Sequence, residues 1–131
     1  MKDFIKEQVR NSLSQEKIEK IDTSKIRIKR QVVNNLLVFT PYYDGVVMGA
    51  FRMKPFNNDY KITSVVLYDR FKGKGMGKNM YRYIIKTLNK EGKKLYSDDH
   101  QSPDAKYVWD SLVRNGYATP TENGYVSIWL L

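Results

Sequence analysis

A glycine- and lysine-rich segment, residues 72–78, stands between an apolar run and a helical pattern, and it limits the folds open to this chain. Its sequence is Lys-Gly-Lys-Gly-Met-Gly-Lys. The apolar run before it, residues 65–67, predicts a strand that is buried on both faces. Apolar residues after it recur every fourth position and predict a helix with one apolar stripe: Met76, Met80, Ile84 and Leu88. The fold must therefore let a buried strand pass through this loop directly into a helix.

The loop has the chemistry of a phosphate-binding site. Glycine has no Cβ, so backbone N–H groups at positions 73, 75 and 77 can approach a ligand closely. The helix that follows presents unpaired N–H groups and a partial positive charge at its first turn. Lys72, Lys74 and Lys78 add full positive charges. Together these features predict a site for a phosphate or pyrophosphate group.

Two widespread phosphate motifs do not fit this loop. A P-loop would need Gly at position 72 and Ser or Thr at position 79, where the chain has Lys72 and Asn79. The dinucleotide pattern of three glycines would need its last glycine at position 78 or 80, where the chain has Lys78 and Met80. A nucleotide-phosphate enzyme that uses this loop is therefore disfavoured.

Before the loop, apolar and polar residues alternate as in antiparallel strands. A helix is predicted over residues 4–21, where apolar residues recur four apart. Four strands are predicted to follow it: 25–33, 36–40, 45–53 and 60–68. Loops are predicted at 41–44 and 55–59. Asn34 and Asn35 predict a tight hairpin turn between the first two strands, because Asn tolerates positive φ.

After the loop and its helix, the chain returns to the sheet twice. A short strand is predicted at 94–97 and a last one at 125–130. A second helix is predicted to start at Ser102, which is suited to the N-cap, with Pro103 and Asp104 in the first turn. This order predicts an α+β fold with a βα unit in its second half, built as one domain over residues 1–131.

Composition narrows the classes of protein and of partner. The chain has no cysteine, which excludes a disulfide scaffold, a thiolate zinc site and a cysteine nucleophile, and no metal is expected. No apolar stretch has the length of a membrane span or of a signal sequence, so we expect a cytoplasmic protein without a membrane partner. The net charge of +9 favours a phosphorylated cofactor, a nucleic acid or an acidic protein surface. No nucleic-acid-binding motif supports the second of these.

The loop resembles the acyl-CoA loop of the GNAT superfamily of N-acyltransferases. That signature is Gln or Arg, two residues, Gly, one residue, and Gly or Ala, and Lys72, Gly75 and Gly77 take its places. A second register, from Arg70, has the consensus Arg, but the first aligns Phe71 with the family's usual aromatic residue. The resemblance covers about residues 45–117.

The resemblance implies a fold, a cofactor and a reaction. The fold would be a mixed, mostly antiparallel central sheet flanked by helices. Acetyl-CoA would be the acyl donor, and its acetyl group would pass to an amine of a protein or small molecule by direct attack on the thioester. Backbone N–H groups of 72–78 would hold the pyrophosphate, the end of the preceding strand would pair with the pantetheine arm, and an N–H near Leu67 would stabilise the oxyanion. The cofactor-binding residues implied are Val65, Val66, Leu67, Lys72, Gly73, Lys74, Gly75, Met76, Gly77, Lys78, Ser102 and Trp109.

The catalytic groups are less clear in the sequence. An alkylamine has a pKa of about 10.4, so a base assists its deprotonation. Many relatives use a Glu on the fourth strand and a Tyr on the last helix, but residues 60–68 hold no carboxylate, and Trp109 takes the place of the Tyr. His100, Asp99 and Tyr68 are the candidate catalytic residues. The first two equally fit a polar loop before a helix, and proximity with oxyanion stabilisation could suffice alone. The alternative function is a catalytically weak or inactive GNAT-fold module that binds nucleic acid or a protein.

Overall fold

The computed structural model describes residues 20–130. The helix predicted over residues 4–21 therefore lies almost entirely outside the described residues. At the end of that range, Ile21 is partly buried against the hydrophobic core. No helix in the described stretch is both long and apolar enough to cross a membrane.

Within residues 20–130, eight strands form one sheet, and two α-helices pack against it. The strands are β1 (Ile26–Val33), β2 (Leu36–Tyr43), β3 (Val46–Val47), β4 (Gly49–Phe56), β5 (Asp59–Leu67), β6 (Leu95–Tyr96), β7 (Ala118–Pro120) and β8 (Tyr125–Ser127). The helices are α1 (Met76–Lys90) and α2 (Pro103–Arg114). The strand order is β1-β2-β4-β5-β6-β8-β7, with β3 beside β2. Every pairing is antiparallel except that of β5 with β6, which confirms the predicted mixed, mostly antiparallel sheet.

The core lies between the sheet and the two helices. Phe51 of β4 meets Tyr81 of α1 edge to face, with ring centroids 5.6 Å apart. Tyr81 in turn meets Trp109 of α2 at 5.2 Å. Such aromatic pairs bury large apolar areas in preferred geometries. The strand residues of the core therefore point towards the helices, and alternate residues of the same strands point to the opposite face of the sheet.

The first half of the sheet confirms the hairpin and corrects two boundaries. Asn34 and Asn35 have φ of 51° and 65°, as the tight turn requires. The loop predicted at 41–44 is wrong in part, because β2 continues to Tyr43 and the chain turns only at Asp44 and Gly45. The strand predicted over 45–53 is divided at Met48, whose N–H bonds to the Pro41 carbonyl. The next strand then extends to Phe56, so the turn predicted at 55–59 is shorter than expected.

The helices follow their sequence signals closely. The predicted apolar stripe of α1 is buried: Met76, Met80, Ile84 and Leu88. Gly92, in the left-handed region at φ 72°, ends that helix. Ser102 is the N-cap of α2, and its Oγ accepts a hydrogen bond from the Ala105 N–H at 3.1 Å. The local capping residues thus determine where each helix begins or ends.

Two predictions about strands after β4 were wrong. Val65 and Val66 are not buried on both faces but are 38% and 42% exposed. The last strand ends at Ser127 rather than at 130, and β7, which pairs with it, was not predicted. Both errors concern which strand pairs with which, and apolar content alone does not determine that pairing.

Candidate functional site

A gap opens in the sheet where β5 and β6 part. The two strands pair only at Tyr60 with Leu95 and at Lys61 with Tyr96. On its other edge β6 pairs with β8, through Tyr96 and Val126, and β6 ends at Tyr96. Within residues 20–130, no strand therefore covers the β6 side of β5 from Ile62 to Leu67. The exposure of Val65 and Val66 is the direct result.

A bulge in β5 lies at the start of this gap. The register with β4 skips Thr63, since Met53 pairs with Ile62 and Arg52 pairs with Ser64. The Thr63 hydroxyl donates a hydrogen bond to the Arg52 carbonyl at 3.3 Å. A bulge adds one residue to a strand and bends it. The bend is consistent with β5 leaving β6 at this position.

The bulge also decides which backbone groups face the gap. On the β6 side, the Tyr60 N–H donates to the Lys94 carbonyl at 3.1 Å; on the β4 side, the Tyr68 N–H donates to the Met48 carbonyl at 2.9 Å. In a regular strand, the backbone N–H groups of residues an even number apart point to the same neighbouring strand. Tyr60 and Tyr68 are eight residues apart, yet their N–H groups point to opposite neighbours, so the extra residue has reversed the alternation. Val65 and Leu67 therefore direct their N–H and C=O groups into the gap. The backbone groups of Val66 face β4.

The glycine loop lies directly after this strand edge. A short 3-10 turn, Asp69–Phe71, leads into it, and the fully buried Phe71 anchors it to the core. Gly73 and Gly75 have φ of 73° and 74°, a left-handed conformation that favours glycine. A Cβ added at either position would meet no atom within 4 Å. The loop is thus open above these two residues.

The loop presents a series of free backbone donors. The Lys72 N–H is already bonded to the Asp69 carbonyl at 3.1 Å, so the series starts at Gly73 rather than at Lys72. In the described part of the chain, the N–H groups of 73–78 have no backbone acceptor. Three of them belong to the first turn of α1, where the helix dipole is positive. The Lys72 ammonium lies 3.1 Å from the Asp69 carboxylate, whereas Lys74 and Lys78 have no such ion pair among the described residues.

Ser102, which is exposed, and Trp109, which is buried, both make contacts within the fold. Ser102 is occupied as the N-cap of α2. Trp109 is 1% exposed and stacks on Tyr125, with ring centroids 5.7 Å apart. In this structure Trp109 packs the core and has no surface to offer a cofactor.

The structure separates Tyr68 from the other two candidate catalytic residues. Asp99 lies at the closed end of the gap, where its carboxylate is 2.6 Å from the Lys61 ammonium. That hydrogen bond lowers the pKa of Asp99 below its ordinary value, which makes the carboxylate a weaker base. The exposed His100 follows it in the same loop. Tyr68 follows the other end of β5, seven residues or roughly 23 Å along the chain from Lys61.

Lys61 is a residue that sequence reasoning missed. It lines a pocket of about 190 Å³ together with Asp99 and Tyr96. The available signal was its place in an alternating strand next to Ile62, which points Lys61 to the face opposite the core. That signal could not show that a later loop would supply a carboxylate beside it.

Comparisons with known proteins agree with this geometry. The sequence model of the acetyltransferase (GNAT) family matches residues 6–107. None of the curated proteins compared with the chain matches it.

Solved structures with the same fold include several acetyltransferases. A GNAT family acetyltransferase from Elizabethkingia anophelis with acetyl-CoA bound has a TM-score of 0.60 at 12% identity, over 75% of this chain and 78% of that one. A putative N-acetyltransferase from E. coli bound to coenzyme A has a TM-score of 0.56 at 14% identity, over 74% of each chain. An IAA acetyltransferase from Bacillus cereus has a TM-score of 0.57 at 16% identity, over 66% of this chain and 74% of that one. At these identities the likeness shows a shared fold.

Proposed function

Because this chain belongs to the acetyltransferase (GNAT) family, we propose that it takes acetyl-CoA as donor and transfers the acetyl group to an amine. The chain would act as one domain over residues 1–131. The observation that carries the proposal is the unpaired edge of β5, which leads directly into an open loop of backbone donors. Structural neighbours that contain acetyl-CoA or coenzyme A add support for the donor.

The loop would bind the pyrophosphate of the cofactor. The free N–H groups of 73–78 lie in and just before the first turn of α1, where the helix dipole favours an anion. Lys74 and Lys78 would add charge, and Lys72 would do so by exchanging its contact with Asp69. The absence of a Cβ at Gly73 and Gly75 would let the phosphates approach the backbone directly.

The gap would hold the pantetheine arm as if it were an added strand. The outward N–H and C=O groups of Val65 and Leu67 would pair with the amides of the arm. A backbone N–H on this edge would also stabilise the oxyanion that forms when the amine attacks the thioester carbonyl. The reacting carbon would then lie beside β5, between the glycine loop and the closed end of the gap.

Proton transfer would take place near that closed end. We assign His100 as the candidate base, because histidine is the side chain whose free pKa is closest to neutrality. Asp99 would instead hold Lys61, since their hydrogen bond favours the ionised carboxylate. Tyr68 follows the opposite end of β5, next to Leu67, and would be the alternative catalytic group at that end.

The test is calorimetry with acetyl-CoA and with free CoA on the wild type, Gly75→Glu and Gly92→Glu. Gly92 is a matched control, because its φ of 72° and its open surroundings equal those of Gly75, while it lies at the far end of α1. Left-handed strain should cost each variant roughly 1–2 kcal/mol of stability. Only Gly75→Glu should lose the cofactor, by at least about tenfold in Kd, or about 1.4 kcal/mol.

Three results separate the alternatives. A wild type that binds neither form of the cofactor would contradict the proposal. Binding of acetyl-CoA without release of thiol, on a broad panel of amines, would favour the inactive binding module. Equal loss of affinity in both glycine variants would show that backbone strain, and not the loss of contacts in the glycine loop, weakens the binding.

A further inference from the structure

A second concavity lies on the sheet face opposite the helices. Ile62 points into the core, so its neighbour Lys61 points to the other face. Lys61 and Tyr96 form the last backbone pair before β5 and β6 part. Both line the pocket of about 190 Å³, and the turn 121–124 forms its other wall. The pocket therefore lies at the closed end of the gap.

The wall of this pocket is fixed by hydrogen bonds. The hydroxyl of the buried Ser97 accepts from the Tyr125 N–H at 2.9 Å and donates to the Asp98 carbonyl at 3.0 Å. A Cβ added to Gly124 would lie 2.3 Å from that hydroxyl, so the turn packs tightly against the strand. The pocket is thus preformed, as sites for small ligands usually are.

Lys61 is held in place by the side chains around it. Its side chain is only 14% exposed, and its ammonium lies 4.7 Å from the centre of the Phe56 ring. The Phe56 ring meets that of Tyr96 at 5.0 Å. Among the described residues its one ion partner is Asp99, a loop residue that is 56% exposed. An ammonium has three N–H donors, so donors remain for a second anion.

The pocket combines both signs of charge. Lys61 supplies a fixed cation, and Asp99 and the exposed Glu122 supply carboxylates at the lining. We propose that this pocket binds the acyl acceptor as a zwitterion, an amine that also bears a carboxylate or phosphate group, and that Lys61 holds the anionic group. The acceptor's ammonium would be drawn to the two carboxylates before it loses its proton. This proposal rests on the proposed acetyl transfer only for the identity of the ligand.

The first test compares amines that differ only in an anionic group. Lysine is paired with cadaverine, which lacks the carboxylate, and phosphoethanolamine with ethanolamine, which lacks the phosphate. We expect the anionic member of at least one pair to have a kcat/KM about tenfold higher or more, measured by thiol release from acetyl-CoA. Which pair responds distinguishes a carboxylate from a phosphate. Equal rates within both pairs would overturn the proposal.

Lys61→Met should abolish that preference, because methionine keeps most of the apolar stem and removes the charge. Lys29→Met is the matched control, since it makes the same charge change at an exposed position of β1. Circular dichroism checks that both variants fold. Retention of the preference in a folded Lys61→Met protein would show that Lys61 does not hold the anion.

A binding measurement keeps the proposal testable if no amine in the panel is acetylated. Acetate and inorganic phosphate are titrated separately into the ¹⁵N-labelled protein. We expect saturable shifts of the Tyr96, Ser97 and Asp99 amides with at least one anion, and their loss in Lys61→Met. If neither anion shifts these amides, the proposal that the pocket binds an anionic group is refuted. If these amides shift but the protein does not bind CoA, the anion site in the pocket is supported and the proposed acetyl transfer is refuted.

Discussion

Gly49→Ala should displace the edge of β5 that faces the gap. Gly49 lies opposite Leu67, and a Cβ added to it would stand 2.0 Å from the Val66 carbonyl oxygen and 2.9 Å from the Leu67 Cα. Real Cβ contacts are essentially never shorter than 3.0 Å. The strands must therefore separate by about 1 Å, and both neighbours are backbone atoms that cannot rotate away.

The size of the effect can be estimated from the contacts involved. Overpacking of this kind costs about 1–3 kcal/mol of folding free energy. If Val65 and Leu67 each lose one hydrogen bond to the pantetheine arm, at about 0.5–1.5 kcal/mol each, binding weakens by about 1–3 kcal/mol. That corresponds to an increase of roughly 5- to 150-fold in the Kd for CoA.

The assay is calorimetry with CoA on the wild type, Gly49→Ala and a core variant, together with urea unfolding. Leu88→Ala is the control, because Leu88 is fully buried in the last turns of α1 and its truncation should cost about 2–5 kcal/mol. The control should lose stability but keep its affinity for CoA. Unchanged affinity in a folded Gly49→Ala protein would refute the role assigned to this edge of β5.

Two further predictions concern ion pairs and hydrogen bonds around the core. Arg30 donates two hydrogen bonds to Glu91 and lowers the pKa of that carboxyl. The pair therefore stabilises the fold while Glu91 is ionised, and this stabilisation is lost as the pH falls through the lowered pKa. Urea unfolding should show that Glu91→Gln is less stable than the wild type by up to about 1 kcal/mol near pH 7; the loss is small because both side chains are well exposed. Near pH 2 the two proteins should have equal stability. A stability difference that stays constant between these pH values would argue against the ion pair. The bond to Asp110, with burial, raises the pKa of Tyr125 to about 12, so Asp110→Asn should return its ultraviolet titration towards the ordinary tyrosine value of about 10.

The features that the sequence predicted well are those determined by nearby residues. The hairpin at Asn34 and Asn35 depends on two residues that accept positive φ. The start of α2 depends on a hydroxyl that bonds a backbone N–H three positions later. The glycine loop is predictable for the same reason, since Gly73 and Gly75 have the left-handed backbone that glycine adopts at little cost.

The features that were missed depend on residues distant in sequence. Val65 and Val66 have the composition of a buried strand, yet they are exposed because β6 ends at Tyr96, opposite Lys61, and leaves the rest of β5 uncovered. Nothing near residue 65 indicates where the neighbouring strand ends. The pocket at Lys61 has the same origin, because its carboxylate and its far wall come from segments that begin 38 or more residues later.

The bulge at Thr63 explains why the sequence alone could not show which backbone groups of β5 face the gap. Period-two alternation counted from Tyr60 would direct the backbone of Val66, and not of Val65 and Leu67, towards β6. One extra residue reverses that count and also bends the strand away from its neighbour. Opening a gap and turning the correct amides into it are thus a single structural event. Since Thr63 differs little in type from its neighbours, only the register against β4 reveals it.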